Sequence, residues 1–185
     1  MKSLKNNVTE SILDVKNNRG KMAKDIAASA ANEWLAEHCS NGHMKNYLKH
    51  LEWHSDVFNG STWRIPNECI VLSKGDRWPE SLKVAEAGTI KLINYDGTEI
   101  PEPIKNIQTN CFFIRNCPKL KSLQNSPEGL IKFSVSGCPE LKDLKGCPKK
   151  VKELFKFINN GVKADDKVIK KYCIVDKKNI IYDHD

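Results

Sequence analysis

Apolar residues along this chain change their spacing from helical to strand-like near residue 60, and each spacing predicts its own elements. From about residue 8 to 58 they recur at helical intervals. Val8, Ile12 and Val15 share one face before Asn17-Asn18-Arg19-Gly20 interrupts. Met22, Ile26, Ala30 and Trp34 come next at i, i+4 spacing among alanines that suit close helix packing. After the turn Ser40-Asn41-Gly42, a helix is expected from His43 to about Phe58 with Met44, Tyr47, Leu48 and Leu51 as its stripe, ending at Asn59-Gly60-Ser61. From Thr62 alternation takes over. Thr62-Trp63-Arg64-Ile65 and Cys69-Ile70-Val71-Leu72 read as short strands split by Pro66-Asn67, with a turn at Lys74-Gly75-Asp76. Trp34, Trp53, Trp63 and Trp78 all lie before residue 79 and are expected to pack the joint between helices and strands.

The alternating stretches then repeat. Asn116-Cys117-Pro118-Lys119-Leu120-Lys121-Ser122-Leu123 recurs twenty-one positions later as Gly137-Cys138-Pro139-Glu140-Leu141-Lys142-Asp143-Leu144. Pro79-Glu80-Ser81-Leu82-Lys83 parallels Pro101-Glu102-Pro103-Ile104-Lys105 at an offset of twenty-two, and Thr89–Asn94 parallels Cys111–Asn116 at the same offset. Prolines return at Pro127 and Pro148, and Val151-Lys152-Glu153-Leu154 opens a degenerate fourth unit. A period of about 20–50 residues marks architectures in which each unit buries its apolar face only against its neighbours.

Aligned, the clearest unit reads Leu130-x-x-Phe133-x-Val135-x-x-Cys138-x-x-Leu141-x-x-Leu144, closing at Pro148. Phe133 and Val135 alternate into a core from a short strand, Cys138 occupies the site where the chain leaves that strand, and Leu141 and Leu144 fill the return path. This phrase resembles the leucine-rich repeat family over roughly residues 79–160, with one extra residue after the cysteine. The G-C-P-x-x-V phrase also resembles short repeat proteins encoded by tailed bacteriophages. Tyr95 stands at the cysteine site of the first unit, which lacks the later leucines, and Lys156 falls where Val135 predicts an apolar residue. The implied fold class is α/β, a short leucine-rich-repeat-like solenoid with an N-terminal helical region and a C-terminal helix/strand cap. The implied segments are a helical region over 1–60, connecting strands over 61–78, the solenoid over 79–160 and a cap over 161–185. In that cap Asp165-Asp166 is expected to start a helix through Tyr172 with Val168, Ile169 and Tyr172 on its apolar face. Ile174-Val175 and Asn179-Ile180-Ile181-Tyr182 are expected to form a hairpin around Asp176-Lys177-Lys178.

Composition narrows the classes of function. The 185 residues carry a net charge of +7, and residues 1–60 hold eight Lys/Arg against seven Asp/Glu, so most of the excess lies after residue 60. No apolar run approaches the roughly 18–20 residues that span a bilayer, and the N-terminus has no apolar signal core; the expectation is a cytoplasmic protein, in the host cell's cytoplasm if viral, that does not contact membrane. Seven cysteines, an odd number without a C-x-x-C pair, argue against both a disulfide framework and a zinc knuckle.

Candidate chemistry is sparse. His38, Cys39, His43, His50 and His54 cluster in sequence, and a helix would bring His43, His50 and His54 to one face. The spacing departs from H-E-x-x-H, and ordinary helix-face histidines are the expectation, with no metal and no cofactor. No nucleophile elbow or glycine-rich phosphate loop is present, so no catalytic residue is assigned and the chain is expected to be non-enzymatic. Residues alternating with the buried ones should instead form a concave binding face: Lys91 and Ile93, then Phe113 and Arg115, then Ser134 and Ser136, flanked by Lys132 and Phe155. The expected function is a protein-interaction module taking a protein partner on that face, as a phage-encoded factor would take a host protein. The alternative is a basic accessory protein that binds nucleic acid through its lysines.

Overall fold

The computed structural model describes residues 31–39 and 62–183. The helices expected over 8–16 and 43–58, together with Trp53, His43, His50 and His54, lie outside the described residues. The fold is mixed α/β. A six-stranded, entirely parallel sheet runs in strict chain order: β1 (Trp63–Leu72), β2 (Val84–Ile93), β3 (Gln108–Arg115), β4 (Leu130–Ser136), β5 (Val151–Ile158) and β6 (Ile180–Tyr182). Helix α1 covers 31–38 and α2 covers Asp166–Tyr172.

Parallel neighbours need a connection of a dozen or more residues, commonly a helix. Here the connections from β2 to β5 are mostly irregular chain, with one 3-10 turn over Glu102–Asn106, and bury their own apolar residues beneath the sheet. Tyr95, Ile100 and Ile104 do so after β2; Cys117, Leu120 and Leu123 after β3; Cys138, Leu141 and Leu144 after β4. The first unit thus replaces leucine with isoleucine on its return path. Stacked connections satisfy each other's backbone, with the Lys121 N–H donating to the Thr98 carbonyl and the Gly161 N–H to the Cys138 carbonyl. At Gly161 a Cβ would collide with the Pro139 carbonyl, so this approach requires glycine.

Two rows of core residues cross the sheet. One runs Ile70–Ile90–Phe112–Phe133–Phe155–Ile180 and the other Leu72–Leu92–Ile114–Val135–Phe157–Tyr182. Ring centroids lie 6.0 Å apart for Phe112 and Phe133 and 5.4 Å for Phe133 and Phe155, the latter edge to face. Strands β2 to β5 are each left by a residue in the left-handed region at one recurring position: Asn94, Asn116, Gly137 and Asn159, with φ of 55°, 53°, 69° and 53°. Asparagine and glycine are the residues that tolerate this turn.

The next position holds Tyr95, Cys117, Cys138 and Asn160, and in two of these units its polar atoms bond the preceding unit. Cys117 Sγ donates to the Leu92 carbonyl at 3.6 Å. The Asn160 side chain makes the corresponding bond to the Val135 carbonyl at 3.2 Å and accepts from the Cys138 N–H at 3.1 Å. Cysteine and asparagine therefore fill the same role at equivalent sites.

Several expectations need correction. Phe155 is fully buried and belongs to the core, not to the binding face. The β4–β5 register slips by one residue between Leu130 and Lys132, so Lys132 pairs with Leu154 and Phe133 with Phe155; in a strand such a slip exchanges the two faces. Lys156 accordingly faces outward beside Ser134, and Phe157 fills the site beside Val135. The two short strands around Pro66-Asn67 are one strand, β1, with an irregularity between Ile65 and Cys69, and it joins the same sheet as the repeats. The C-terminal hairpin does not form. Ile174 makes a parallel bridge with Lys150, and Ile180–Tyr182 pairs parallel to β5 after a 3-10 turn over Lys177–Asn179.

A short helix lies before the sheet and another in its last connection. Cys39 makes an antiparallel bridge to Ile70 at the β1 edge. Trp34 stacks on His38 at 3.9 Å and meets Trp78 at 5.3 Å, while Trp63 is buried in β1. His38 Nδ1 lies 2.7 Å from the Trp34 carbonyl, and its Nε2 lies 3.3 Å from Asp76 Oδ1. At the other end the Asp165 carboxylate accepts from the Val168 N–H and caps α2, which buries Ile169 and leaves Val168 exposed.

Candidate functional site

Strand alternation assigns every second residue of β2–β5 to the face opposite the core. Because the strands are in register, these residues form rows. One full row is Val71–Lys91–Phe113–Ser134–Lys156–Ile181, and a shorter one beside it is Ile93–Arg115–Ser136–Ile158. A third holds Thr89–Cys111–Lys132–Leu154. Lys91, Ile93, Phe113, Arg115, Lys132, Ser134 and Ser136 thus come together on one surface as the alternation predicts, while Phe155 does not. Lys156 and Ile158 are the additions sequence reasoning missed. Aligning Phe155-Lys156-Phe157 with Phe133-Ser134-Val135 at an offset of twenty-two would have found them.

The surface is half-buried at its centre and cationic. Phe113, Ser134, Ser136 and Lys156 are partly covered by their neighbours, and Arg115 and Lys132 are exposed. Lys132 lies 3.9 Å from Glu153, a loose pair in solvent. Among the described residues no carboxylate lies within ion-pair distance of Lys91, Arg115 or Lys156. Elsewhere some cations do have carboxylate partners: Arg64 with Glu86, Arg77 with Asp96, Lys145 with Asp143 and Lys149 with Glu128.

Other candidate sites have less to offer. A groove of about 540 Å³ runs among the connections past Asn125, Cys147 and Tyr172. Its Lys149 is engaged by Glu128 at 3.7 Å, and its Lys171 sits over the Tyr172 ring at 5.5 Å. No three His, Cys, Asp or Glu residues converge on a possible metal position among the described residues.

The thiols are built for packing. Cys117 and Cys138 are buried, reduced and adjacent. A hydrogen bond to Cys138 and then burial push the Cys117 thiol far up. Burial is the main cause that raises Cys39 and Cys147 to about 12 and Cys173 to about 11. A thiol held protonated is a poor nucleophile and a poor metal ligand. In the connection after β2, the Gly75 N–H and then Arg77 hold the Asp96 carboxyl below its usual range, tying that turn to its neighbour. No helix among the described residues is long and apolar enough to cross a membrane.

No protein-family model, curated protein or solved structure matches this chain.

Proposed function

We propose that this chain is a leucine-rich-repeat-like solenoid that acts as a non-enzymatic protein-interaction module, with the outward sheet face as its binding surface. The observation that carries this reading is the row Lys91–Phe113–Ser134–Lys156, set beside Ile93–Arg115–Ser136–Ile158. It places an aromatic ring and isoleucines among cations that have no carboxylate partner among the described residues. Aromatic and arginine side chains on a rigid, partly desolvated platform are the usual anchors of protein interfaces. The recurring asparagine/glycine turn and the cysteine/asparagine bonds support the repeat reading. A phage origin, with a host protein as partner, rests on the resemblance of the G-C-P phrase alone.

The test is capture of a partner by the tagged chain, compared with the double variant Phe113→Ala/Arg115→Ala. Capture should be lost while the melting temperature stays nearly unchanged, because neither side chain belongs to the core. Retained capture that is released by salt alone would favour nucleic acid instead.

A further inference from the structure

The serines on β4 turn the centre of this face into a shallow trough. Ser134 and Ser136 are the smallest side chains in their two rows. Phe113 and Arg115 rise on the β3 side, and Lys156 and Ile158 on the β5 side. Strands in a sheet are about 4.8 Å apart and rise about 3.3 Å per residue, so Arg115 and Lys156, diagonal to each other across β4, have backbones about 12 Å apart. Both side chains are long enough to meet over the serines. Ser134 and Ser136 use neither hydroxyl in a hydrogen bond within the described residues, which leaves two donors on the trough floor. Arg115 and Lys156 are likewise without a carboxylate there. Two cations and two idle hydroxyl donors, converging where the fold supplies no anion, make a receptor for one.

We propose that this trough, formed by Arg115, Ser134, Ser136 and Lys156, is the specificity subsite of the binding face and takes a carboxylate side chain from an acidic, extended protein segment, with Phe113 holding an apolar residue next to it. The proposal rests on the protein-interaction reading and names the chemistry of its partner. Charge complementarity selects the occupant. The surface is cationic, its acid Glu153 points toward Lys132 at 3.9 Å, and the chain as a whole carries +7. The apolar neighbours select protein over nucleic acid. Val71, Ile93, Ile158 and Ile181 flank the cations, whereas a strand of bases asks for successive aromatic platforms, and Phe113 is the one aromatic in the two rows.

The experiment uses the full chain and three fluorescent probes: a peptide carrying Glu-Phe-Glu between Gly-Ser flanks, the same peptide with Gln-Phe-Gln, and an oligothymidine of matched charge. The acidic peptide should bind on the order of tenfold more tightly than its amide twin, and Lys156→Gln or Arg115→Gln should each remove most of that preference. Ser134→Ala with Ser136→Ala should weaken the acidic peptide by several-fold without changing the amide peptide. Lys142→Ala, on an exposed connection away from the face, is the control and should change nothing. Equal binding of the two peptides overturns the proposal, as does tighter binding of oligothymidine or indifference to both Lys156→Gln and Arg115→Gln. If the peptides are not distinguished while Phe113→Ala/Arg115→Ala still abolishes partner capture, the carboxylate subsite falls and the binding face stands. If capture also survives that double variant, the face itself is wrong.

Discussion

The main-chain N–H of Asn159 donates to the Asp183 carboxylate at 2.6 Å. The equivalent N–H groups of Asn94, Asn116 and Gly137 donate to the carbonyls of Arg115, Ser136 and Ile158, one strand further along the sheet. At Asn159 the equivalent position is Asp183, just past the end of β6, and the bond goes to its side chain. A carboxylate there takes the place that a main-chain carbonyl holds in the inner units, so the N–H at this turn is not left without an acceptor.

Asp183→Ala should loosen the last unit. Hydrogen exchange at the Asn159 amide should accelerate strongly, while the Asn116 amide, two strands inside the sheet, stays protected. Asp183→Asn keeps an acceptor and should fall between the two. Unchanged exchange at Asn159 in the alanine variant would mean that the carboxylate is not its partner in solution.

The β4–β5 register makes opposite predictions for adjacent residues. Phe155→Ala and Phe133→Ala each open a cavity in the aromatic row and should cost about 3–5 kcal/mol. Lys156→Ala and Ser134→Ala, on the other face, should stay within about 0.5 kcal/mol. Chemical denaturation measures both. Comparable losses for Phe155→Ala and Lys156→Ala would refute the slip at Leu130–Lys132.

The buried thiols make stability fall in alkaline solution. In the unfolded chain Cys39 and Cys147 ionise near their ordinary value of 9.0, while in the folded chain burial pushes both up to about 12. The unfolded state then binds fewer protons across that interval, so unfolding becomes easier as pH rises from about 9 to about 12 and the effect is absent below it. Melting temperature measured through this window should drop less steeply for Cys147→Ala than for the parent chain. Parallel slopes would show that the thiol is not buried. In the same fold Cys117 and Cys138 should react slowly with thiol reagents until the chain unfolds.

Sequence alone determines the face of most strand residues and the period of the stack. Alternation assigns Phe112, Ile114, Phe133 and Val135 to the core and Lys91, Phe113, Arg115 and Ser134 to the open face, because successive side chains in a strand must point to opposite sides. The offsets of twenty-one and twenty-two place Cys117 beside Cys138 for the same reason: equivalent residues of stacked units meet. Tertiary structure decides what local pattern leaves open. Phe155 and Lys156 exchange faces through a single extra residue within β5, where Lys152 and Glu153 lie opposite Ile131, and no propensity within that stretch distinguishes the two registers; burying Phe155 and Phe157 against Phe133 and Val135 does. Trp63–Leu72 and Ile180–Tyr182 look from their own residues like a joint and half a hairpin. Each joins the sheet because the strand beside it, β2 or β5, would otherwise leave a row of unpaired backbone groups and an uncovered core edge, and that requirement is set by neighbours about twenty residues away in the chain.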